Sequence, residues 1–174
     1  MTTVIFYGMN VSADGYIVDA EGGFDWTEPA DDVFAYYIGV QRDSVLDVYG
    51  RNLWETMQPW VQPPPESSPA ELEYAEAWQS TPRLVVSTTL TEVDGAELVH
   101  TVDDVTDREG PVQVGGAALA ASMIDRIEQF LPMIHPVTVG GGVPFFPAGV
   151  RLDLELVETR RFDSGPVLHR YVRR

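Results

Sequence analysis

The chain of 174 residues contains no cysteine and no lysine, so all 11 of its basic residues are arginine. Without cysteine there can be no thiol nucleophile, disulfide, thiolate zinc site or iron–sulfur cluster. Without lysine there can be no Schiff-base chemistry and no P-loop lysine. The net charge of -16 disfavours nucleic acids and anionic membranes, since both bind through basic residues. These absences leave a small molecule as the expected partner.

The sequence also lacks any apolar run near the ~18 residues that span a bilayer. Its first residues, MTTVIFY, carry neither the basic start nor the cleavage site of a signal peptide. We therefore expect a soluble cytoplasmic protein. The length, with 44% hydrophobic and 22% charged residues, is typical of a globular protein, and we expect residues 1–174 to form a single domain with one sizeable core.

Hydrophobic patterns first alternate between buried strands and amphipathic helices and then become strand-like towards the C-terminus. The predicted strands cover residues 3–9, 44–49, 83–87, 96–100, 112–114, 130–139, 152–162 and 167–173. The predicted helices cover residues 29–42, 52–57, 70–79, 102–107 and 117–124, with loops at residues 10–26 and 59–69. The last two strands alternate like a hairpin. The sequence thus predicts a three-layer α/β fold, whose mixed, mainly parallel sheet is flanked by helices and closed by a C-terminal antiparallel hairpin.

The stretch PVQVGGAALAASMID at residues 111–125 indicates a strand, a turn of two glycines and a helix of small residues. Such a helix directs its free N–H groups and the positive end of its dipole at the space above the strand ends, which favours a phosphate. The spacing is not G-x-G-x-x-G, and no lysine follows. Gly115 and Gly116 therefore either contact a nucleotide or only permit close packing of the helix on the strand.

Five motifs resemble, in their order and spacing, the dihydrofolate reductase-like superfamily, and more closely the branch that contains the reductase domain of bacterial riboflavin biosynthesis. The likeness spans nearly the whole chain. The motifs are VSADGYI at residues 11–17, Gly50-Arg51 with Trp54-Glu55, LVVST at residues 84–88, VGGA at residues 114–117 with Leu119, and HPV at residues 135–137 leading to GGGVPFF at residues 140–146.

The resemblance implies NADPH binding and hydride transfer to a small heterocycle of the pterin, pyrimidine or flavin-precursor type. It assigns Gly115 and Gly116, often joined by a cis peptide in such proteins, to the cofactor's pyrophosphate. It assigns Arg51, Ser87 and Thr88 to the 2'-phosphate and ribose, and a guanidinium suits phosphate because its donors form a fixed fork. The cofactor-binding residues implied in this way are Val11, Gly15, Tyr16, Ile17, Gly50, Arg51, Asn52, Ser87, Thr88, Val114, Gly115, Gly116, Ala117 and Leu119.

The chain departs from this pattern in three ways. Leu53 stands where dihydrofolate reductases usually have threonine, which removes a hydroxyl contact and leaves the preference between NADPH and NADH open. The first predicted helix has Asp31 and Asp32 at its start but no acid in its interior, so folate itself is not expected as the substrate. The zinc-deaminase motifs H-x-E and C-x-x-C do not occur, so we do not expect the bifunctional riboflavin enzyme.

Asp14 is the candidate catalytic residue. Its loop is expected to lie under the nicotinamide, where a carboxyl group could orient the substrate or relay a proton. Alternatively, an Asp-Gly pair forms a turn in which the aspartate accepts backbone N–H groups. Four aromatic residues could stack on a flat substrate or belong to the core: Trp26, Phe34, Tyr37 and Phe145. The three histidines lack ligand spacing, so no metal is expected.

The sequence thus favours an NADPH-dependent reductase of a small molecule, with homodimerisation through the C-terminal strands expected by family analogy. A second possibility is an NADP-binding protein without catalysis, which would show no turnover. A third is a structural, dimer-forming domain, in which replacing Gly115 or Arg51 would change stability without changing any ligand affinity.

Overall fold

The computed structural model describes residues 2–174 and contains ten strands. The strands are β1 (Thr3–Ser12), β2 (Tyr16–Val18), β3 (Leu46–Gly50), β4 (Arg83–Val86), β5 (Glu97–Val99), β6 (Gly110–Gly115), β7 (Gln129–His135), β8 (Val143–Pro144), β9 (Leu154–Arg161) and β10 (Val167–Arg173). The α-helices are α1 (Asp31–Asp43), α2 (Arg51–Met57), α3 (Pro69–Ser80) and α4 (Ala117–Ser122). Short 3-10 helices cover Asp25–Thr27, Gln58–Val61, Val102–Asp104 and Ile124–Arg126.

Eight of the strands form one sheet in the order β5-β4-β3-β6-β1-β7-β10-β9. The pairs from β5 to β7 are all parallel, whereas β10 is antiparallel to both β7 and β9. β2 and β8 form a separate antiparallel pair. This topology confirms the predicted α/β fold with its C-terminal antiparallel hairpin. β1 lies between β6 and β7, as its nearly continuous apolar sequence predicts.

Two hydrophobic clusters cover the two faces of the sheet. On one face, side chains of α1, α2 and α3 pack on β3 and β4, with Trp78 fully buried at the centre. On the other face, Leu119 and Ala120 of α4 pack on Tyr7, Val48 and their neighbours. Because neighbouring side chains of a strand point to opposite faces, β3 supplies Val48 to one cluster and the adjacent Tyr49 to the other.

Side-chain hydrogen bonds fix the starts of two helices, one through a local contact and one through a distant one. At α3, the side chain of Ser68 accepts a hydrogen bond from the backbone N–H of Glu71, while Glu71 accepts one from the N–H of Ser68. At α1, Asp32 accepts hydrogen bonds from the hydroxyl and the N–H of Ser164, over 2.6 and 3.0 Å. These bonds lower the pKa of Asp32 and join α1 to the turn of the C-terminal hairpin.

The predicted C-terminal ends of two helices were wrong. The helix predicted at residues 102–107 is only the 3-10 turn Val102–Asp104, because Val105 leaves the helical conformation to enter the core. The helix predicted at residues 117–124 ends at Ser122, since Met123 is buried with non-helical dihedral angles. None of the helices within residues 2–174 is long and apolar enough to cross a membrane.

Candidate functional site

The carboxyl ends of β4, β3, β6 and β1 lie side by side at one edge of the sheet. This edge is where open α/β sheets bind ligands. A cavity of about 1170 Å³ runs along it, between the residues that follow β4 and those that end β1. A single small-molecule site typically occupies ~300–1000 Å³, so this cavity has room for more than one small ligand.

Arg51 and three hydroxyl residues form one end of the cavity. The guanidinium of Arg51 donates from Nη1 to Oγ1 of Thr89 over 3.0 Å, and from Nε to Glu55 over 2.8 Å. The hydroxyl oxygen of Ser87 accepts the N–H groups of Thr89 and Leu90, which orders the loop after β4. Two of the five guanidinium donors are used, which leaves donors for a bound anion. Thr88 also lines this end.

The two glycines after β6 have different roles in the structure. Gly116 lines the cavity and has φ +101°, a conformation that side-chain-bearing residues rarely adopt. Gly115 is buried, and a Cβ atom there would collide with the side chains of Leu53 and Tyr49. Close packing therefore explains Gly115, whereas Gly116 lies where a ligand can approach the backbone. The peptide bond between them is trans, as are all others within residues 2–174. The cis peptide that the resemblance predicts at this position is therefore not present.

Aromatic side chains line another part of the cavity. Phe34 of α1, Trp60 and Tyr74 form a cluster with ring centroids 4.8 to 6.1 Å apart. Nearby, the hydroxyl of Tyr37 donates to Oδ1 of Asn10 over 3.0 Å. These groups combine a large apolar surface with a few polar atoms, which is the composition of a small-molecule site.

Asn10 is held in place from two sides. Its Oδ1 atom lies 2.8 Å from Nε2 of His135 and also accepts the bond from Tyr37. Burial lowers the pKa of His135, so this imidazole is neutral at pH 7. With Oδ1 occupied twice, Asn10 keeps its NH₂ group as a donor at the cavity wall.

A polar group lies at the base of the cavity, on the face of the sheet covered by α1 and α3. Gln41 of α1 donates from Nε2 to Oε1 of Gln113 in β6 over 3.3 Å, and both side chains line the cavity. Behind them, Tyr49 donates to Oδ2 of Asp47 over 2.9 Å and accepts a bond from the indole N–H of Trp78. Burial raises the pKa of Asp47 to about 6.

Comparisons with known proteins agree with this architecture. No model of a known protein family matches the sequence. The uncharacterized protein YyaP of Bacillus subtilis (strain 168) is 28% identical over 176 residues, which cover 94% of this chain and 91% of that protein. A Shewanella sp. PV-4 protein provisionally assigned to riboflavin biosynthesis superimposes with a TM-score of 0.74 and 22% identity, over 100% of this chain and 99% of that one.

A second solved structure is the diaminohydroxyphosphoribosylaminopyrimidine deaminase/5-amino-6-(5-phosphoribosylamino)uracil reductase of Thermotoga maritima. It superimposes with a TM-score of 0.70 and 12% identity, over 99% of this chain but only 57% of that one. The chain has a dihydrofolate reductase-like fold. Both solved structures share this fold with the chain over nearly its whole length, as the order of the motifs predicted.

The dihydrofolate reductase-like fold brings most of the predicted site residues to the cavity. Eleven of them line it: Ile17, Phe34, Tyr37, Gly50, Arg51, Asn52, Ser87, Thr88, Gly116, Ala117 and Leu119. Eight do not: Val11, Asp14, Gly15, Tyr16, Trp26, Val114, Gly115 and Phe145. Among the latter, Val11 and Val114 are buried in the core, and Phe145 stacks on Tyr7 with ring centroids 4.3 Å apart. Trp26 packs edge-on against His135.

Asp14 lies outside the cavity and holds a turn together. Its carboxylate accepts hydrogen bonds from the hydroxyl of Ser12 over 2.6 Å, from N of Gly140 over 2.8 Å and from N of Val139 over 3.1 Å. The bond from Ser12 and then the two backbone bonds lower the pKa of Asp14, so it stays ionised at pH 7. This is the alternative, structural role, and an ionised carboxylate cannot donate a proton.

Gln41, Gln113 and Asp47 at the base of the cavity are not among the predicted site residues. Gln113 lies between the buried Val112 and Val114, and Asp47 lies between the buried Leu46 and Val48. A polar residue inside an otherwise apolar strand is a signal that could have identified both. Gln41 follows Tyr37 by four positions on the inward face of α1, where an amphipathic helix normally carries an apolar side chain.

Proposed function

We propose that this chain is an NADPH-dependent reductase that transfers a hydride to a small heterocycle of the pterin, pyrimidine or flavin-precursor type. The observation that carries this proposal is the cavity itself. It joins an arginine–hydroxyl cluster suited to phosphate with an aromatic region suited to a flat ring, along the ligand-binding edge of a parallel sheet.

The residues present fit the cofactor. Arg51, Ser87, Thr88 and Thr89 would hold the 2'-phosphate and ribose, because they combine a guanidinium fork with hydroxyl donors. Gly116 would let the pyrophosphate approach the backbone without meeting a side chain. Leu53 contributes no hydroxyl, so discrimination for the 2'-phosphate depends on Arg51. NADPH, when bound, would supply the hydride.

The chain itself would position the substrate and exclude water from the cavity. The aromatic side chains of Phe34, Trp60 and Tyr74 would hold a flat substrate, and the amides of Asn10 and Gln113 would orient it. Asp14 lies outside the cavity, and no aspartate or glutamate lines the cavity within residues 2–174. We therefore assign protonation of the substrate to water.

The lack of a cavity-lining carboxylate among residues 2–174 also favours one alternative, an NADP-binding protein without catalysis. The experiment that separates the two functions follows NADPH absorbance with a panel of pterins, pyrimidines and quinones. NADPH oxidation that depends on one of these compounds supports the reductase. Saturable NADPH binding without turnover on any of them supports the non-catalytic protein.

A homodimer through the C-terminal strands is also proposed. β9 is an edge strand of the sheet, and its Leu156 and Val157 are 49% and 42% exposed. Exposed edge strands with apolar side chains favour pairing with a second chain. Sedimentation equilibrium of the wild type should show a dimer, and Leu156→Glu should shift the protein to monomer. A monomeric wild type would contradict this proposal.

A further inference from the structure

His100 directly follows β5 and lines the cavity at its arginine–hydroxyl end. Its Nδ1 atom lies 2.7 Å from the backbone oxygen of Ser87, whose own N–H donates to the backbone oxygen of Val99 over 3.0 Å. A carbonyl oxygen can only accept a hydrogen bond, so Nδ1 of His100 carries a proton. The atom of this ring that gains or loses a proton is therefore Nε2.

Nε2 of His100 is the polar atom of the side chain that remains for a ligand. The side chain is exposed and lines the cavity, and within residues 2–174 its hydrogen bond is the one from Nδ1. A neutral ring would present a lone pair at Nε2, whereas an imidazolium would present an N–H donor with a positive charge. An anionic ligand at this end of the cavity favours the second form.

Two hydroxyl groups connect His100 to Arg51. The hydroxyl oxygen of Ser87 lies 3.3 Å from that of Thr89, and the hydroxyl oxygen of Thr89 accepts a hydrogen bond from Arg51 over 3.0 Å. His100 and Arg51 are the basic residues that line the cavity within residues 2–174. Both belong to the same small cluster, so one bound anion can meet both.

Arg51 alone leaves a phosphate short of positive charge. Its Nε atom donates to the carboxylate of Glu55 over 2.8 Å, so this ion pair carries almost no net charge. A phosphate monoester carries a charge of about -1.5 to -2 at pH 7. The whole chain adds to the mismatch, since its net charge is -16. A second cation beside Arg51 would offset part of this repulsion.

Other ionisable groups lie on the elements around His100, and of these Arg51 alone lines the cavity within residues 2–174. Carboxyl groups titrate well below neutral pH and guanidinium groups well above it, so a change of charge near pH 7 points to the histidine. These groups are Arg83 of β4, Glu92 and Asp94 between β4 and β5, Glu97 of β5, which pairs with Arg108, Asp103 and Asp104 of the following 3-10 turn, Arg51 and Glu55 of α2, and Arg126, which donates to Val102.

We propose that His100 is a second phosphate ligand of this site and that its Nε2 atom takes up a proton from water when a phosphate monoester binds beside Arg51. The imidazolium then donates from Nε2 to the phosphate and from Nδ1 to Ser87. The proposal deepens the proposed function and rests on it for the identity of this group as the 2'-phosphate of NADPH. It makes the affinity for NADPH dependent on pH.

The test measures proton uptake by the wild-type chain. Calorimetric titration in two buffers of different ionisation enthalpy gives the number of protons bound with each ligand. At about pH 7.5, where a phosphate monoester is largely a dianion, NADPH and adenosine 2'-monophosphate should each bring in roughly 0.3 proton or more, and NADH close to none. The NADPH dissociation constant should rise roughly threefold or more from about pH 7 to about pH 8.5, while that of NADH stays nearly constant.

Two variants assign the proton to His100. His100→Asn keeps an N–H donor near the position of Nδ1, so it can retain the bond to Ser87, but it has no counterpart of Nε2. This variant should bind NADPH roughly threefold or more weakly than the wild type at about pH 7, with no proton uptake. His169→Gln is the control, since His169 lies outside the cavity beside Tyr171, and it should keep the uptake of the wild type.

Proton uptake that survives in His100→Asn, or equal uptake with NADPH and NADH in the wild type, would overturn the proposal. The wild-type comparison needs no variant, so a variant that fails to fold does not remove the test. Proton-linked NADPH binding without turnover on any substrate would contradict the reductase and support this inference. Turnover with an NADPH affinity that is independent of pH would contradict this inference and not the reductase.

Discussion

The guanidinium of Arg51 at the start of α2 donates to Oγ1 of Thr89, 3.0 Å away in the loop after β4. This contact joins the connections that follow two neighbouring parallel strands. The guanidinium is also bonded to the carboxylate of Glu55, and its remaining donors beside the hydroxyl groups of Ser87, Thr88 and Thr89 suit a phosphate monoester. Under the proposed function, it is the feature of the site that would most directly separate NADPH from NADH.

Arg51→Gln should weaken NADPH binding by roughly tenfold or more and leave NADH binding nearly unchanged, since only NADPH carries the 2'-phosphate. The NADPH affinity of Arg51→Lys should lie between those of the wild type and Arg51→Gln, because lysine keeps the positive charge but lacks the paired N–H donors of a guanidinium. Calorimetric titration with both cofactors measures the effect. Arg151→Gln is the matched control, since the side chain of Arg151 is exposed and lies outside the cavity. Equal weakening for both cofactors would rule out a phosphate contact.

Gly115→Ala should lower the free energy of unfolding by about 1–3 kcal/mol, because the added methyl group meets Leu53 and Tyr49. Leu53→Ala should relieve part of this cost, which gives a double-mutant coupling of about 1 kcal/mol. Urea denaturation of the four proteins measures the cycle. In Gly39→Ala the new methyl group has nothing within 4 Å and lies in α1, so this control should not destabilise. Strictly additive effects of Gly115→Ala and Leu53→Ala would contradict the packing explanation.

The free energy of unfolding should depend on pH because of the raised pKa of Asp47. Burial raises the pKa of Asp47 from 3.8 to about 6, so between these values the folded state binds more protons than the unfolded state. The stability of the wild type relative to Asp47→Asn should therefore fall as the pH rises from about 4 to about 7, by roughly 2–3 kcal/mol in total. Comparing the two proteins cancels the opposite contribution of His135, whose pKa is lowered. A difference in stability that does not change across this range would show that Asp47 is not buried as described.

Asp14→Ala should destabilise the protein at pH 7, since Ser12, Val139 and Gly140 lose their common acceptor. Because the folded pKa of Asp14 is lowered, its stabilising effect is present above the ordinary carboxyl pKa and is lost as the pH falls through the folded value. The stability gap between wild type and Asp14→Ala should therefore close in acid. Denaturation at several pH values tests this, with the exposed Asp125→Ala as control. If Asp14→Asn abolished turnover while stability stayed unchanged, the structural role would be wrong.

Much of the fold could be predicted from the sequence because it depends on local patterns. Alternating buried strands and amphipathic helices identify a parallel sheet, and the carboxyl ends of such strands must meet at one edge. Gly50-Arg51 directly follows one predicted strand and Ser87-Thr88 lies at the end of another, so this rule places both pairs at the same edge of the sheet. The structure finds all four residues on one cavity wall.

The rest of the site depends on contacts between distant parts of the chain. The carboxylate of Asp14 is engaged by Val139, 125 positions further along, and no local pattern distinguishes such a turn from a catalytic loop. Gln41 meets Gln113 across 72 positions, and only the packing of α1 on the sheet brings them together. Gly115 and Gly116 are adjacent and chemically identical, yet only the position of Leu53 shows that one serves packing and the other faces the cavity.

The central claim is that this cavity binds a reduced nicotinamide dinucleotide. Isothermal titration of the purified wild-type chain with NADPH, and separately with NADH, tests it most directly. We predict saturable binding of one NADPH per chain, with NADH binding more weakly because it cannot engage Arg51 through a 2'-phosphate. Absence of binding for both cofactors would contradict the reductase and the NADP-binding alternative together.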